Sequence, residues 1–305
     1  MEPSVHPIPI NDCDLSEFLA VAAAFGTSRF GFVVTPNVDH VIRYRDDPAF
    51  RDIYQRADFA VMDSRFLAGL LKVVGGLRLP VCAGSDLTAR LFESVLDPAD
   101  EVLLIGGTAA QAASLRKTYH VDRLRHYNPP MGFIDDPDEL EACLQFIEQA
   151  GPFRYCFLAV GSPQQERVAD LLKTRGRARG LALCVGGAIN FLTGVERRAP
   201  RWVQASGCEW LYRLLQDPPR LARRYLVRGP RIFLLLPRLK WQLVSTDAQR
   251  HGAVPVRARL TGSPAAASIH ALPRRQRRPS VESPVRRFNH LQAREPVVRQ
   301  QRAGS

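Results

Sequence analysis

No stretch of this 305-residue chain is long and apolar enough to span a bilayer. A span takes about 20 residues, whereas the candidate Ile232 to Leu236 is five residues long and stops at Pro237. The amino terminus, MEPSVHPIPINDCD, has no basic segment and no apolar segment behind it, so a secretory leader is not expected. The six cysteines, at 13, 82, 143, 156, 184 and 208, include no C-x-x-C pair, and neither His40 nor His126 has a partner at metal-ligand spacing. Zinc is therefore unsupported, and reduced core cysteines, as in a cytoplasm, are the better reading. No serine occupies a nucleophile elbow. Neither a full G-x-G-x-x-G fingerprint nor a Walker loop occurs, which counts against a nicotinamide-dependent oxidoreductase.

What is present is an uneven distribution of charge. Residues 1–196 hold 19 Lys and Arg against 25 Asp and Glu, whereas 197–240 hold 11 against 2, and 251–305 again 11 against 2. The net charge of +12 thus belongs to the carboxyl-terminal third, attached to an acidic body. Within 197–226, RRAPRWVQASGCEWLYRLLQDPPRLARRYL, Trp202, Trp210, Leu211, Leu214, Leu215, Leu221 and Leu226 supply an apolar face among seven arginines. A helix from Pro219 puts Arg220, Arg223 and Arg224 on one side, where guanidinium forks can grip phosphate. Such a surface suits an anionic membrane or a lipid-linked phosphate. A solvated basic helix covering a core is the plain alternative.

The first 195 residues alternate short apolar runs (29–35, 59–62, 101–105, 155–160, 181–185) with helical patterns (64–74, 86–96, 108–119, 137–149, 163–175). Alternation of this kind predicts an α/β fold: a Rossmann-like parallel sheet with helices on both faces. After Pro200 the pattern is helical only, broken at Asp217-Pro218-Pro219 and near Gly229-Pro230. The expected organisation is a core over 1–196, a basic amphipathic appendage over 197–245, and a disordered Arg- and Pro-rich tail over 246–305.

In an open parallel sheet, ligands bind beyond the carboxyl ends of the strands. Thr35 and Asn37 stand there, able to bond a sugar or phosphate oxygen, or to make a local turn. Asp63 follows the run FAVM and precedes a helix. A carboxylate there can take a proton from an attacking hydroxyl, although a helix N-cap is the ordinary use of that position. The turns at Gly106-Gly107 and Gly161 offer free backbone N–H groups for a diphosphate. Thr108 with Gln111, and Ser162 with Gln165, fit capping boxes. The turn Gly186-Gly187 permits close backbone approach to a ligand, and Asn190 offers a donor and an acceptor.

The motifs TPNVDH, ADFAVMDS, GSDL, LLIGG, NPPMGF, VGSPQQE, VGGAINFLTG, RRAPRWVQ and EWLYRLLQDPPRLARRYL follow one another in an order that resembles the WecG/TagA/CpsF family of bacterial glycosyltransferases, over roughly residues 30–226. The resemblance implies an inverting, metal-independent transfer of a sugar from a UDP-sugar to a polyprenyl-diphosphate-linked saccharide, on the cytoplasmic face of the bacterial membrane. The UDP-sugar is a substrate, and no cofactor or metal is implied. Asp63 falls on the position of the base, Thr35 and Asn37 on a pocket-lining pair, and Gln165 near the donor. Arg213, Arg220 and Arg223, with Arg224 beside them, fall where the lipid diphosphate is met. The chain departs from the family pattern in having Leu79 to Ala83 where an arginine is common, Ser64 after the base, and Asn190 for an aspartate. These departures suggest an exopolysaccharide branch with a hexose or uronic acid donor. Nucleic acid is not expected as a partner, an oligomer is left open, and the competing reading is a non-catalytic nucleotide- or nucleic-acid-binding protein that uses the basic third.

Overall fold

The computed structural model describes residues 6–246; the tail expected over 246–305 lies, apart from Thr246, outside the described residues. Among the described residues there are eight strands: β1 (Ile8–Asn11), β2 (Phe30–Val34), β3 (Phe59–Ala60), β4 (Val102–Ile105), β5 (Leu124–Tyr127), β6 (Tyr155–Leu158), β7 (Gly180–Cys184) and β8 (Trp241–Val244). Six of them form one parallel sheet in the order β3-β2-β7-β6-β4-β5. All four residues of β4 and β6 and all five of β2 and β7 are buried. Burial on both faces is why these strands read as continuous apolar runs rather than alternating ones.

Alternate strand residues nevertheless go to different cores. Phe32, Val34, Leu103, Ile105, Cys156, Leu158, Ala182 and Cys184 pack on one face, and Val33, Val102, Leu104, Tyr155, Phe157, Leu181 and Leu183 on the other. Helices that lead toward the β3 edge (Val38–Asp46, Pro48–Arg56, Pro137–Gln149, Gln164–Arg175) cover the first face. Gly84–Ser94 and Ala109–Tyr119, which lead toward β5, cover the second. One crossover hand produces this segregation. It also sets a topological switch between β2 and β7, because the helix after β2 lies on the first face and the short helix Ala188–Leu192 after β7 on the second. A crevice opens at such a point, beyond the strand ends.

The segment after Pro200 is not helical throughout. Short helices at Arg201–Ala205, Glu209–Gln216 and Pro218–Ala222 lead into a π-helical stretch, Arg223–Arg228, and then into Arg231–Leu235. The segment closes with β8, which pairs in parallel with β1 in a second, two-stranded sheet. Ile232, Leu235, Leu236 and Trp241 are buried in the first-face core. The appendage is therefore a strap fixed at both ends. Its β-strand is legible only once a partner exists: β1 is four residues long and pairs with a segment more than two hundred residues away. The side chain of Asn11 ties this small sheet to the large one by accepting from the Ala60 N–H at 2.7 Å.

Candidate active site

A cavity of about 410 Å³ lies at the β2/β7 switch, roofed by the strap. Its floor and walls include Asn37, Asp63, Arg65, Gly187 and Phe191 from the body, and its roof includes Trp210, Arg213, Arg224, Tyr225 and Phe233. Of the residues singled out in the sequence, Asn37, Asp63, Ser64, Gly187, Trp210, Arg213, Arg224 and Leu226 line it.

Asp63 is not the N-cap of the following helix. Ser64 takes that role, its hydroxyl accepting from Leu67 N–H at 3.2 Å. The Asp63 backbone N–H is bound to Pro36 O at 3.1 Å, and its carboxylate accepts from the Gly84 N–H at 2.7 Å. The helix Gly84–Ser94 has no capping side chain of its own at Ala83. A carboxylate from another strand thus serves its free amino-terminal N–H and feels its dipole. Burial still dominates, pushing the Asp63 carboxyl above the ordinary aspartate range. The Gly84 bond and the charges of Arg213, Arg224 and Arg198 pull the other way. A half-buried carboxylate on a cavity wall, less acidic than usual and ringed by arginines, has the properties of a general base.

Asn37 caps Val38–Asp46, accepting from Asp39 and His40 N–H, and its Oδ1 also accepts from Arg224 Nη2 at 3.4 Å. Asp39 lies 3.9 Å from Arg224 as well. Thr35 and Gln165 are buried rather than part of the wall. The Thr35 hydroxyl donates to Cys184 O at 3.0 Å, joining the ends of β2 and β7. Gln165 makes no capping box with Ser162. It accepts from Gly186 N–H at 2.9 Å and donates to Glu166 at 2.8 Å, so it fixes the turn after β7 instead. The Thr108–Gln111 capping box does form. Gly106 and Gly107 adopt φ of 93° and 74° at the end of β4, and a Cβ at Gly106 would meet the Ala159 backbone at 2.9 Å. They lie off the cavity wall, as does Asn190, whose amide joins Gln111 to Glu196.

The arginines do not share one face as a regular helix from Pro219 would place them. Arg220 pairs with Asp217 at 2.5 Å and Glu196 at 3.2 Å, Arg224 turns to the cavity, and Arg223 is exposed. The cause is the change from α- to π-helical winding at Arg223, which alters the angle between successive side chains. Arg213, Arg220 and Arg224 pair with Glu196, Asp217 and Asp39, whereas Arg201, Arg223 and Arg228 are exposed.

Two groups escaped the sequence reading. Arg65, Asp86, Arg198 and Glu209 form a mixed ion-pair cluster beside the cavity, with Asp86 2.9 Å from Arg65 and 2.5 Å from Arg198. Only the D-S-R and G-S-D-L strings hinted at it. Beneath the cavity, His40, Tyr54 and Glu166 are fully enclosed. His40 Nδ1 is 2.7 Å from the Tyr54 hydroxyl, and its Nε2 is 4.0 Å from Glu166. Burial, with Arg224 and Arg43 nearby, lowers the His40 pKa to about 3, and burial raises that of Glu166. The histidine is thus held neutral, and the contact is not an ion pair.

Among the described residues, no group of three His, Cys, Asp or Glu side chains converges, and no helix is long and apolar enough to cross a membrane. The two Asp-x-Asp spacings, Asp12/Asp14 and Asp136/Asp138, serve helix starts, with Asp14 and Asp136 as N-caps. All six cysteines are free, and only Cys208 is exposed.

A parallel sheet with a switch-point cavity, a half-buried aspartate on its wall and a strap of arginines and aromatics over it accords with what the motif order implied. The model of the glycosyl transferase WecG/TagA/CpsF family matches residues 3–246, most of the chain and all of the described residues. This protein therefore belongs to the WecG/TagA/CpsF family of glycosyltransferases.

Proposed function

We propose that the chain transfers a sugar from a UDP-sugar to a polyprenyl-diphosphate-linked saccharide, with inversion and without a metal, in exopolysaccharide assembly. Asp63 takes the proton from an acceptor hydroxyl as that oxygen bonds to the anomeric carbon. The bond from that carbon to the UDP oxygen breaks on the opposite face, and UDP leaves with the electron pair. Arg213 and Arg224 meet diphosphate charge at the cavity. Asn37 orients the substrate. Thr35, Gln165 and Asn190 act from behind the wall through the contacts described above. Arg220 and exposed Arg223, on the strap but outside the cavity lining, meet the lipid diphosphate as it approaches.

The observation that carries this reading is the Asp63 carboxylate, less acidic than usual, on the wall of a cavity that also holds Arg213 and Arg224. The apolar part of the roof adds support for a lipid-linked acceptor. Phe66 packs against Trp210 at 6.2 Å and Phe233 at 6.5 Å, and Trp210 against Tyr225 at 6.0 Å, so an isoprenoid chain has an aromatic wall beside the cations. Exposed Trp202, Leu215, Leu226, Val227 and Leu234, interspersed with exposed Arg201, Arg223 and Arg228, suit peripheral attachment to the inner face of the cytoplasmic membrane. The test is a donor screen with the purified full chain, a panel of labelled UDP-sugars and a short-chain polyprenyl-diphosphate disaccharide. One donor is expected to give a glycolipid product and stoichiometric UDP. Absence of product and of UDP release across the panel refutes the reading.

A further inference from the structure

We infer that Asn190 and Glu196 are positioning residues for Arg213, and that an amide rather than a carboxylate at position 190 is what lets Glu196 hold that arginine over the cavity. The inference rests on the proposed role of Arg213 toward diphosphate.

The contacts form a continuous chain from the body to the roof. Gln111, in the capping box of Ala109–Tyr119, donates from Nε2 to Asn190 Oδ1 at 2.9 Å and to Thr193 Oγ1 at 3.0 Å. With its oxygen so occupied, Asn190 donates from Nδ2 to Glu196 Oε1 at 3.0 Å. Glu196 in turn lies 3.6 Å from Arg213 Nη2 and 3.2 Å from Arg220 Nη2. The Arg213 guanidinium also lies over the Phe191 ring, 5.3 Å from its centroid. An arginine has several rotatable bonds and loses much rotamer freedom when ordered. A carboxylate anchored from behind keeps Arg213 ordered before a ligand arrives, and pre-organisation of this kind favours binding.

An aspartate at 190 would reverse this. It has no proton to donate at neutral pH, so it would set a second carboxylate against Glu196 in place of a hydrogen bond. Moving the charge rather than adding one should be tolerated. In the double variant Asn190→Asp/Glu196→Gln, the new amide at position 196 donates to the new carboxylate at position 190. Gln111 still donates to that carboxylate, and one negative charge remains beside Arg213.

The experiment is calorimetric titration of the full chain with inorganic pyrophosphate, alongside thermal melts of every variant. Arg213→Ala, Asn190→Asp and Glu196→Gln should each weaken binding about tenfold, and the double variant should recover to within about threefold of the unsubstituted chain. If Arg213→Ala binds weakly while both single variants at 190 and 196 bind normally, the positioning inference is overturned and the Arg213 reading stands. If Arg213→Ala binds as well as the unsubstituted chain, or the unsubstituted chain does not bind pyrophosphate, the Arg213 reading itself fails. A double variant that melts normally but stays as weak as the singles also overturns the inference, because a tuned charge position predicts its recovery.

Discussion

The carboxylate of Asp63 accepts a 2.7 Å hydrogen bond from the backbone N–H of Gly84, the first residue of a helix that has no capping side chain of its own. The proposed base and the helix start are thus locked together: the helix stabilises the ionised carboxylate, and burial opposes it. Replacing Asp63 with Asn keeps an oxygen for Gly84 but removes the base. The rate of transfer should fall by about 10²- to 10⁴-fold, the usual worth of general base catalysis, with UDP affinity retained.

The same substitution has a pH signature in stability. A carboxyl whose pKa is raised by folding costs nothing below its unfolded value, and costs progressively more as pH rises to its folded value. The variant should therefore melt at nearly the same temperature as the unsubstituted chain near pH 3, and above it near pH 7. Equal melting at both pH values would show that Asp63 is not held above its ordinary range. For turnover, the acidic limb of kcat/KM should lie above the ordinary aspartate range and vanish from residual Asp63→Asn activity.

Much of this site was legible because it stands at strand ends, where parallel topology concentrates ligands. Asp63 and Asn37 were found from a strand run followed by a polar residue, and the order of motifs marked Arg213. Thr35 and Gln165 show the limit of that reasoning. Both have the right chemistry at strand ends, yet both point inward, to Cys184 O and Gly186 N–H, which depends on which neighbouring strand lies beside them. The strap was visible as composition but not as geometry. A π-helical stretch, Arg223–Arg228, replaces the regular helix that would align Arg220, Arg223 and Arg224, and β8 depends on a partner at the opposite end of the chain. The helix Leu15–Ala24 was also missed, although Asp14 and Glu17 make its capping box, because its alanine-rich register carries little amphipathic contrast.

Asp86 joins the body to the start of the strap through Arg198. Burial alone would raise its pKa, but hydrogen bonds and charges from Arg198 and Arg65 outweigh this and leave it lowered. Its stabilising contribution is therefore present above the ordinary carboxylate pKa and is lost as pH falls through the lowered one. Asp86→Asn should cost about 1–3 kcal/mol at pH 7, since Arg198, with Nη2 already unpartnered, loses its closest counter-charge. Urea unfolding at pH 7 and at pH 3 checks this: the difference between variant and parent should shrink at the lower pH.

The exposed residues Trp202, at 75% accessibility, Leu215, at 72%, and Leu234, at 74%, lie on the strap among arginines. If they meet a membrane, co-sedimentation should require anionic lipid and weaken with salt, because exposed charges are screened over about 8 Å at physiological ionic strength. Trp202→Ser with Leu234→Ser should release the chain from phosphatidylglycerol vesicles without altering its melting temperature. Binding to purely zwitterionic vesicles that is insensitive to 0.5 M salt, about three times physiological, would overturn the electrostatic part of this prediction.

His40 provides the last test, because its effect on stability has a distinct window. Unfolded, the ring titrates at its ordinary value of 6.5; folded, burial and the charges of Arg224 and Arg43 hold its pKa near 3. The unfolded chain therefore binds a proton first, and stability should fall by about 1.4 kcal/mol per pH unit as pH drops below 6.5. Glu166, 4.0 Å away, has the opposite sign: its raised pKa adds stability as pH falls toward the ordinary glutamate value of 4.5. The two effects overlap above pH 4.5, so the quantity to follow between pH 6.5 and 5 is the difference in stability between the parent and a variant that keeps Glu166. His40→Gln retains a group that can bond Tyr54 but has no charge to acquire. Across that interval the parent should lose stability relative to this variant, the Glu166 contribution being common to both. Parallel pH profiles would show that the His40 ring is protonated as readily in the fold as outside it, and that burial beneath the cavity does not hold it neutral.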